Sequence, residues 1–348
     1  MSHFAFFVGL DVSPKRTAIC IVDTANSIVA EAYVPTNPEA IARFVRDRVP
    51  HVERVGLEAG QMSEWLTVGL NTAGLPTICV EARHAQGFIQ SQINKSDRND
   101  ARGLARMMMC GVYKPVHVKS LESMQLRALL GARKIVLEKM IDIELHIRGT
   151  LKTFGHQLGS CGRAQFAFRV DELAEDNESL QLAIRPLLRA RDGLNEQYER
   201  LHYHVLGIVR DDPVCRLLMT APGVGPVTAL TFKTAVDDPE RLQGSKSVGA
   251  LFGMTPRRHQ SGDTDRMGSI SKWGGQEVRS ALVEAGMRIL TTVKQPSLLR
   301  TQALELEARI GRNKAAVALG RRLGSILRRM WLDQRAFDPN QHDDPGAA

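Results

Sequence analysis

Aromatic residues make up only 5% of this 348-residue chain, so aliphatic side chains must fill its interior. Cysteine is scarce too. Cys20, Cys79, Cys110, Cys161 and Cys215 are scattered, odd in number and form no CxxC pair. That argues against a disulfide framework or a zinc site and suits a reducing cytoplasm. No segment approaches the roughly 18 consecutive apolar residues that span a bilayer, and the opening MSHFAFFVGLDVSP has no basic leader. A soluble, cytoplasmic chain with no membrane partner is expected. The ten histidines show no ligand spacing, and no repeat of roughly 20–50 residues is visible. Charge balance is also missing. Lys and Arg number 46 against 38 acids, a net charge of +8, which favours a polyanionic partner.

The first hundred residues read as alternating strands and helices. AFFVGLDV (5–12), TAICIVD (17–23) and SIVAEAYV (27–34) are β-rich and closely spaced, as in a meander. NPEAIARFVRDRV (37–49) has an N-cap Asn, then Pro at the first helical position. RVGLEA (54–59) is a short strand. MSEWLTVGLNTAG (62–74) is a helix closed by Gly74, and PTICVEA (76–82) is a further strand. Ser96 is placed to cap a helix over about 97–110. The order β-β-β-α-β-α-β-α predicts an α/β domain with a ribonuclease H-like mixed sheet over residues 1–115.

The middle of the chain changes character. Leu126, Leu129, Val136, Met140, Ile143 and Ile147 follow a three-four spacing broken by Arg133. After a break near 155–164, Ile184, Leu187, Leu194, Tyr198, Leu201, Val205 and Ile208 repeat it, broken by Arg191. Pro186 is expected in the first turn of that second helix or at a kink. Residues 120–210 are therefore expected to form an antiparallel coiled-coil connector, with dimerisation as a second use of its stripes. His202 and His204 are expected at its surface. Residues 213–335 form a mainly helical C-terminal domain. There, Pro222-Gly-Val-Gly-Pro226 resembles a helix-hairpin-helix turn whose Gly223 and Gly225 would let backbone N–H groups meet a phosphate. One long arginine-rich helix is expected over about 301–332, then a disordered tail over 336–348. Trp65, Trp273 and Trp331 are expected to serve packing.

The stretch KSDRNDARGLARMM (95–108) sets two acids in a basic helix. At about 100° per residue, Asp97 and Asp100 share one face, while Arg98, Arg102 and Arg106 lie along another. Asp11 and Glu58 end apolar strands, where a carboxylate needs exposure, a partner or a cation. A ribonuclease H-like sheet sets the first and fourth strands side by side under the last helix, which brings Asp11, Glu58, Asp97 and Asp100 around one point. Such a cluster stays ionised only around cations, and oxygen ligands suit Mg2+ or Mn2+. Two such ions are the usual device for in-line attack on a phosphodiester. Arg98 and Arg102 would hold the nucleic-acid backbone.

These segments, with APGVGPVTALTF and LFGMTPRRHQSGDTDRMGSISKWGGQEVRSAL, make the chain resemble the DEDD-type insertion-sequence transposases of the IS-one-ten family, described as bridge-RNA-guided recombinases. The resemblance runs over nearly the whole chain. It implies a RuvC-like nuclease domain with Asp11, Glu58, Asp97 and Asp100 as metal-binding acids, a coiled-coil connector and a C-terminal transposase domain. It implies a serine nucleophile, and Ser261 in RRHQSGDTDR matches that position, with Ser269 and Ser271 as rivals. It implies a covalent phosphoserine link to DNA, a structured non-coding guide RNA from the element, and a homo-oligomer, dimer or tetramer. Arg257, Arg258, Arg266 and Lys272 surround the serine as candidates for phosphate contact, and Gly262 follows it. His259 is the closest base, two metal ions being the alternative. Two other readings stay open: a RuvC-like nuclease that uses water, and a nucleic-acid-binding scaffold whose acids are structural.

Overall fold

The computed structural model describes residues 5–89, 96–242, 244–261 and 264–340. They fall into two compact units, one up to Lys119 and one from Ser120 onward.

In the first unit, β1 (Phe7–Val12), β2 (Arg16–Val22) and β3 (Ile28–Pro35) form an antiparallel meander. α1 (Pro38–Arg46) follows, capped by Asn37, whose side chain accepts from the Ala40 N–H at 3.0 Å. Then come β4 (Arg54–Glu58), α2 (Ser63–Thr72), β5 (Thr77–Val80), α3 (Ala82–Ile89) and α4 (Asp97–Cys110). β4 and β5 run parallel to β1, giving a five-stranded mixed sheet of order β3-β2-β1-β4-β5. This is consistent with a ribonuclease H-like sheet. The short helix α3 was not anticipated.

Period-two alternation sorts the strand residues between two cores. Val8, Leu10, Ile19, Ile21, Val55 and Leu57 pack on one side with α1 and α2. Phe7, Ala18, Cys20 and Val22 pack on the other with Ala101, Leu104, Ala105 and Met108 of α4. Gly9 and Gly56 let α4 settle onto the sheet: a Cβ at Gly9 would stand 2.0 Å from the Ala101 carbonyl oxygen, and one at Gly56 2.6 Å from the Met108 side chain. After α4 the chain returns along β5, where the Val116 N–H donates to the Cys79 carbonyl at 2.8 Å.

The second unit begins with α5 (Leu121–Thr153), α6 (Arg163–Ala174) and α7 (Glu178–Asp211). α5 and α7 form the expected antiparallel pair. The two arginines that interrupt their apolar stripes are the ones that tie them together. Arg133 donates to the Tyr198 hydroxyl at 2.8 Å and to His202 Nδ1 at 3.2 Å. Arg191, with its side chain only 4% exposed, donates to Glu144 at 3.0 Å, to Asp192 at 2.8 Å and to the Arg163 carbonyl at 2.8 Å. His202 is thus a partly buried member of the pair rather than a surface residue. Pro186 lies well inside α7 instead of in its first turn. α6, in a stretch the sequence pattern leaves unassigned after the break near 155–164, covers the far end with Phe166 and Val170.

The rest is α8 (Pro213–Leu218), α9 (Pro226–Val236), α10 (Gly244–Leu251), the hairpin β6 (Pro256–Ser261) and β7 (Thr264–Ile270), α11 (Gln276–Thr291), α12 (Leu298–Ile310) and α13 (Arg312–Asp333). Connector and C-terminal helices share one core: Leu130, Val205 and Val209 pack with Leu218, Phe232, Leu282 and Leu323. The boundary expected near 210–213 is therefore a bend within one unit, with Asp212 capping α8. The single last helix is two, broken at Gly311 (φ +81°). The segment after α13 is docked at its start. The Phe337 N–H donates to Thr220 Oγ1 at 3.0 Å, and Pro339 accepts from the Leu298 N–H at 2.9 Å. The remainder of the expected tail, 341–348, lies outside the described residues. Trp331 is buried as expected, whereas Trp65 and Trp273 are about half exposed, at 48% and 47%.

Candidate active site

The direction of α4 follows from its arginines. Arg98 stands over the Tyr33 ring, 5.5 Å from its centroid, and Tyr33 pairs through Ala18 to Asp11. One turn later Arg102 meets Glu31, which pairs through Cys20 to Gly9. After another turn, Arg106 Nε donates to Asn26 Oδ1 at 3.2 Å, in the turn beyond Val22. The helix therefore runs antiparallel to β1, with its N-terminus at the Asp11 end.

That orientation brings the four sequence-predicted acids to one end and one face of the sheet. Asp11 shares strand parity with Gly9, whose face meets α4. Glu58 shares parity with Gly56 and follows Leu57, the partner of Leu10. Asp97 and Asp100 lie four residues before the buried Ala101 and Leu104, so they prolong the sheet-facing stripe by one turn. Residues 11–14 and 58–63 line a cleft of about 330 Å3. Gln86 Nε2 of α3, a residue not singled out in sequence, donates to Glu58 Oε1 at 3.4 Å.

Among the described residues, Asp100 Oδ1 is buried with no hydrogen-bond partner. A buried carboxylate oxygen left so is costly unless a cation answers it. The oxygen-only donor set fits a hard divalent ion. Among the described residues, no three His, Cys, Asp or Glu side chains are drawn together as a finished metal cage. The structure brings the acids to one end of the sheet without closing them around a point.

The arginines divide by partner. Arg102 donates its Nη2 to Glu31 Oε2 at 2.8 Å and its Nε to Oε1, so its charge is already matched. Hydrogen bonding from Arg102 holds the Glu31 carboxyl below the usual range. Burial, reinforced by Glu31, pushes the Cys20 thiol up to about 12, which leaves it unreactive. Arg98 is exposed at the acid end. Glu31 had no sequence signal beyond being an acid in a strand.

Ser261 ends β6 in the second unit, on a hairpin whose side chains are nearly all exposed. Gly262 lies outside the described residues. The register sets Ser261 opposite Thr264 and His259 opposite Arg266 on one face. Arg258 and Gln260, opposite Met267 and Asp265, occupy the other, where Arg258 binds Asp265 in a two-point pair at 2.9 and 2.6 Å. Arg257 donates to the Ser271 carbonyl at 3.1 Å. Lys272 has a left-handed backbone (φ +57°), and its N–H donates to the Gly253 carbonyl at 2.9 Å. Ser269 lies on exposed β7, and the Ser271 N–H donates to Thr255.

In the 222–226 turn the glycines differ. Gly223 (φ +78°) packs against α11, where a Cβ would stand 2.5 Å from the Ala285 carbonyl oxygen, whereas Gly225 opens onto the N-terminus of α9. In the last helix Arg328 is spent on the Pro239 and Leu242 carbonyls.

Two family models match this chain. Residues 8–155 match a DEDD model of the IS110 type described as "Transposase", and residues 215–301 match "Transposase IS116/IS110/IS902 family". The chain belongs to the IS110 family of transposases. Its relatives agree along most of its length. It is 26% identical over 340 residues to the transposase for insertion sequence element IS1111A of Coxiella burnetii, covering 95% of this chain and 90% of that one. It is 22% identical over 338 residues to a probable family 20 transposase of Pseudomonas aeruginosa, covering 95% and 98%. A shorter match, 29% identical over 129 residues, covers 36% of this chain and 39% of a pilin gene-inverting protein of Moraxella bovis. This transposase is an enzyme of DNA transposition, in a family generally dependent on divalent metal. No helix among its described residues is long and apolar enough to cross a membrane.

Proposed function

We propose that this transposase excises and inserts an insertion-sequence element by attack of Ser261 on a DNA phosphodiester, with Asp11, Glu58, Asp97 and Asp100 of a RuvC-like domain holding Mg2+ or Mn2+, two ions in the active state. The observation that carries this reading is the placing of four carboxylates at one end and one face of the sheet, one of them with a buried, unanswered oxygen. The ions, when bound, neutralise charge on the attacked phosphoryl group and on the leaving oxygen. The chain's own residues do the remaining work. Arg98 holds the DNA backbone beside the acids, while Arg102 braces the helix that carries Asp97 and Asp100. Arg266 and Lys272 bind phosphate near the serine, and Gly225 at the start of α9 offers backbone N–H groups to a second stretch of backbone.

A net charge of +8 supports a second polyanion beside the DNA, a structured guide RNA encoded by the element. Exposed Ile135, Leu145 and Leu182 on the outer faces of α5 and α7 support a homo-oligomer of two or four copies.

The test is strand transfer on plasmid DNA carrying the element ends, with co-purified RNA present. Ser261→Ala should abolish a detergent-resistant protein–DNA adduct and recombination. Retained metal-dependent cleavage by the variant would instead favour a nuclease that uses water. Absence of cleavage by wild type under every metal condition would favour a scaffold.

A further inference from the structure

The hairpin register sorts the groups around Ser261 in a way its linear sequence does not. On the serine's face stand Thr264, opposite it, and the His259–Arg266 pair. Asp265, a carboxylate four residues from the serine, is on the other face. There Arg258 binds it and holds it below the usual carboxylate range. A carboxylate so committed is a poor acceptor for a serine proton. His259 precedes Ser261 by two residues, about 6.6 Å of strand, and both side chains leave the same face. An imidazole turned along the strand spans that gap, and when neutral it accepts a proton on one nitrogen. Arg266 stands directly opposite His259, so its guanidinium leaves the same face as the serine, where a phosphate attacked by Ser261 would lie.

Resting on Ser261 as the nucleophile, we infer that His259 is the proton shuttle of strand transfer, with Arg266 as the phosphate clamp on the same face. In the forward step the Ser261 Oγ–H proton passes to His259 as the Oγ–P bond forms. The P–O bond to the leaving sugar oxygen breaks, and that oxygen takes a proton from solvent while the imidazolium returns its own. In rejoining, an incoming sugar hydroxyl attacks phosphorus and loses its proton to solvent. The Oγ–P bond breaks, and the imidazolium, recharged from solvent, protonates the departing serine. Every bond made is matched by one broken, and no oxidant or further reactant is required.

The experiment follows adduct formation by the full chain with its co-purified RNA, Mg2+ and plasmid DNA bearing the element ends. His259→Ala and His259→Gln should both slow adduct formation about a hundredfold or more, the ordinary worth of a positioned base. DNA affinity and melting temperature should stay near wild type, because the position is exposed. Free imidazole in the buffer should restore at least a tenth of the rate to His259→Ala and nothing to Ser261→Ala. Wild-type rates in both His259 variants, or a loss that imidazole leaves untouched, would overturn the shuttle. An adduct that persists in Ser261→Ala would overturn the choice of nucleophile and with it this inference, an outcome told apart by that variant alone.

Discussion

Gly9 of β1 lies directly beneath Ala101 of α4, so close that a methyl group at residue 9 would stand 2.0 Å from the Ala101 carbonyl oxygen and 2.3 Å from the Ala105 nitrogen. Both obstacles are backbone, so the helix itself must move. Gly9→Ala should cost about 3 kcal/mol, the upper range of overpacking. It should also displace the helix turn that bears Asp97 and Asp100. Urea denaturation and a cleavage assay at a temperature where the variant remains folded would check both. Wild-type cleavage in a destabilised variant would show that the acids tolerate the shift.

The Arg102–Glu31 pair makes stability depend on acid pH. Hydrogen bonding holds the folded Glu31 below its ordinary value of 4.5. The unfolded chain therefore binds more protons in that window. The stabilisation is complete above about pH 4.5 and is lost as pH falls through the depressed folded value. Glu31→Gln should cost about 1 kcal/mol at pH 7, a figure limited by an arginine side chain 35% exposed. It should also flatten the acid limb of stability, read by thermal melts between roughly pH 3 and 7.

At Asp100, stability and activity should part company. Its buried, unpartnered oxygen penalises the metal-free protein. Asp100→Asn should leave the apo protein as stable as wild type or up to about 1 kcal/mol more stable, while abolishing cleavage. Mg2+ should raise the melting temperature of wild type and leave the variant unmoved, since only an ion bound to the folded state stabilises it.

Arg191 is the polar pin of the long helical pair. Arg191→Ala strands Glu144, whose side chain is 18% exposed, and should cost about 3–5 kcal/mol in chemical denaturation. Replacing both partners at once, Arg191→Met with Glu144→Leu, should recover most of that loss, because the desolvation of two charges disappears with their attraction.

Much of the first unit was legible because its signals are local. Asn37 before Pro38, Gly74 after a helix and Ser96 before Asp97 are caps whose chemistry acts within a few residues. The short apolar runs of β1 and β4 marked which acids end strands. The interior glycines Gly9 and Gly56 carried a further readable sign, close approach of a helix. α3 was missed because ARHAQGFI has little of its own to mark a helix start. The β6–β7 hairpin was missed for a different reason. RRHQS and TDRMGS hold one apolar side chain larger than glycine, Met267, so no alternation announces two strands, and the exposure of both leaves no core-facing side. The interruptions by Arg133 and Arg191 were visible in sequence, but their meaning depended on Tyr198, His202 and Glu144, residues at least 47 positions away. Which arginines were spent inside the protein was equally hidden. Arg102 and Glu31 are 71 residues apart, and only the sheet register brings them together.

The most direct measurement is divalent-ion binding, followed by the loss of the free Mn2+ spin-resonance signal, in the wild-type protein with its DNA and RNA and in Asp11→Asn, Glu58→Gln, Asp97→Asn and Asp100→Asn. Wild type should bind two ions, and each variant should lose at least one together with strand transfer. Full occupancy in the variants, or no bound ion in a wild-type complex that still transfers strands, would contradict the assignment of these four carboxylates to the metal site.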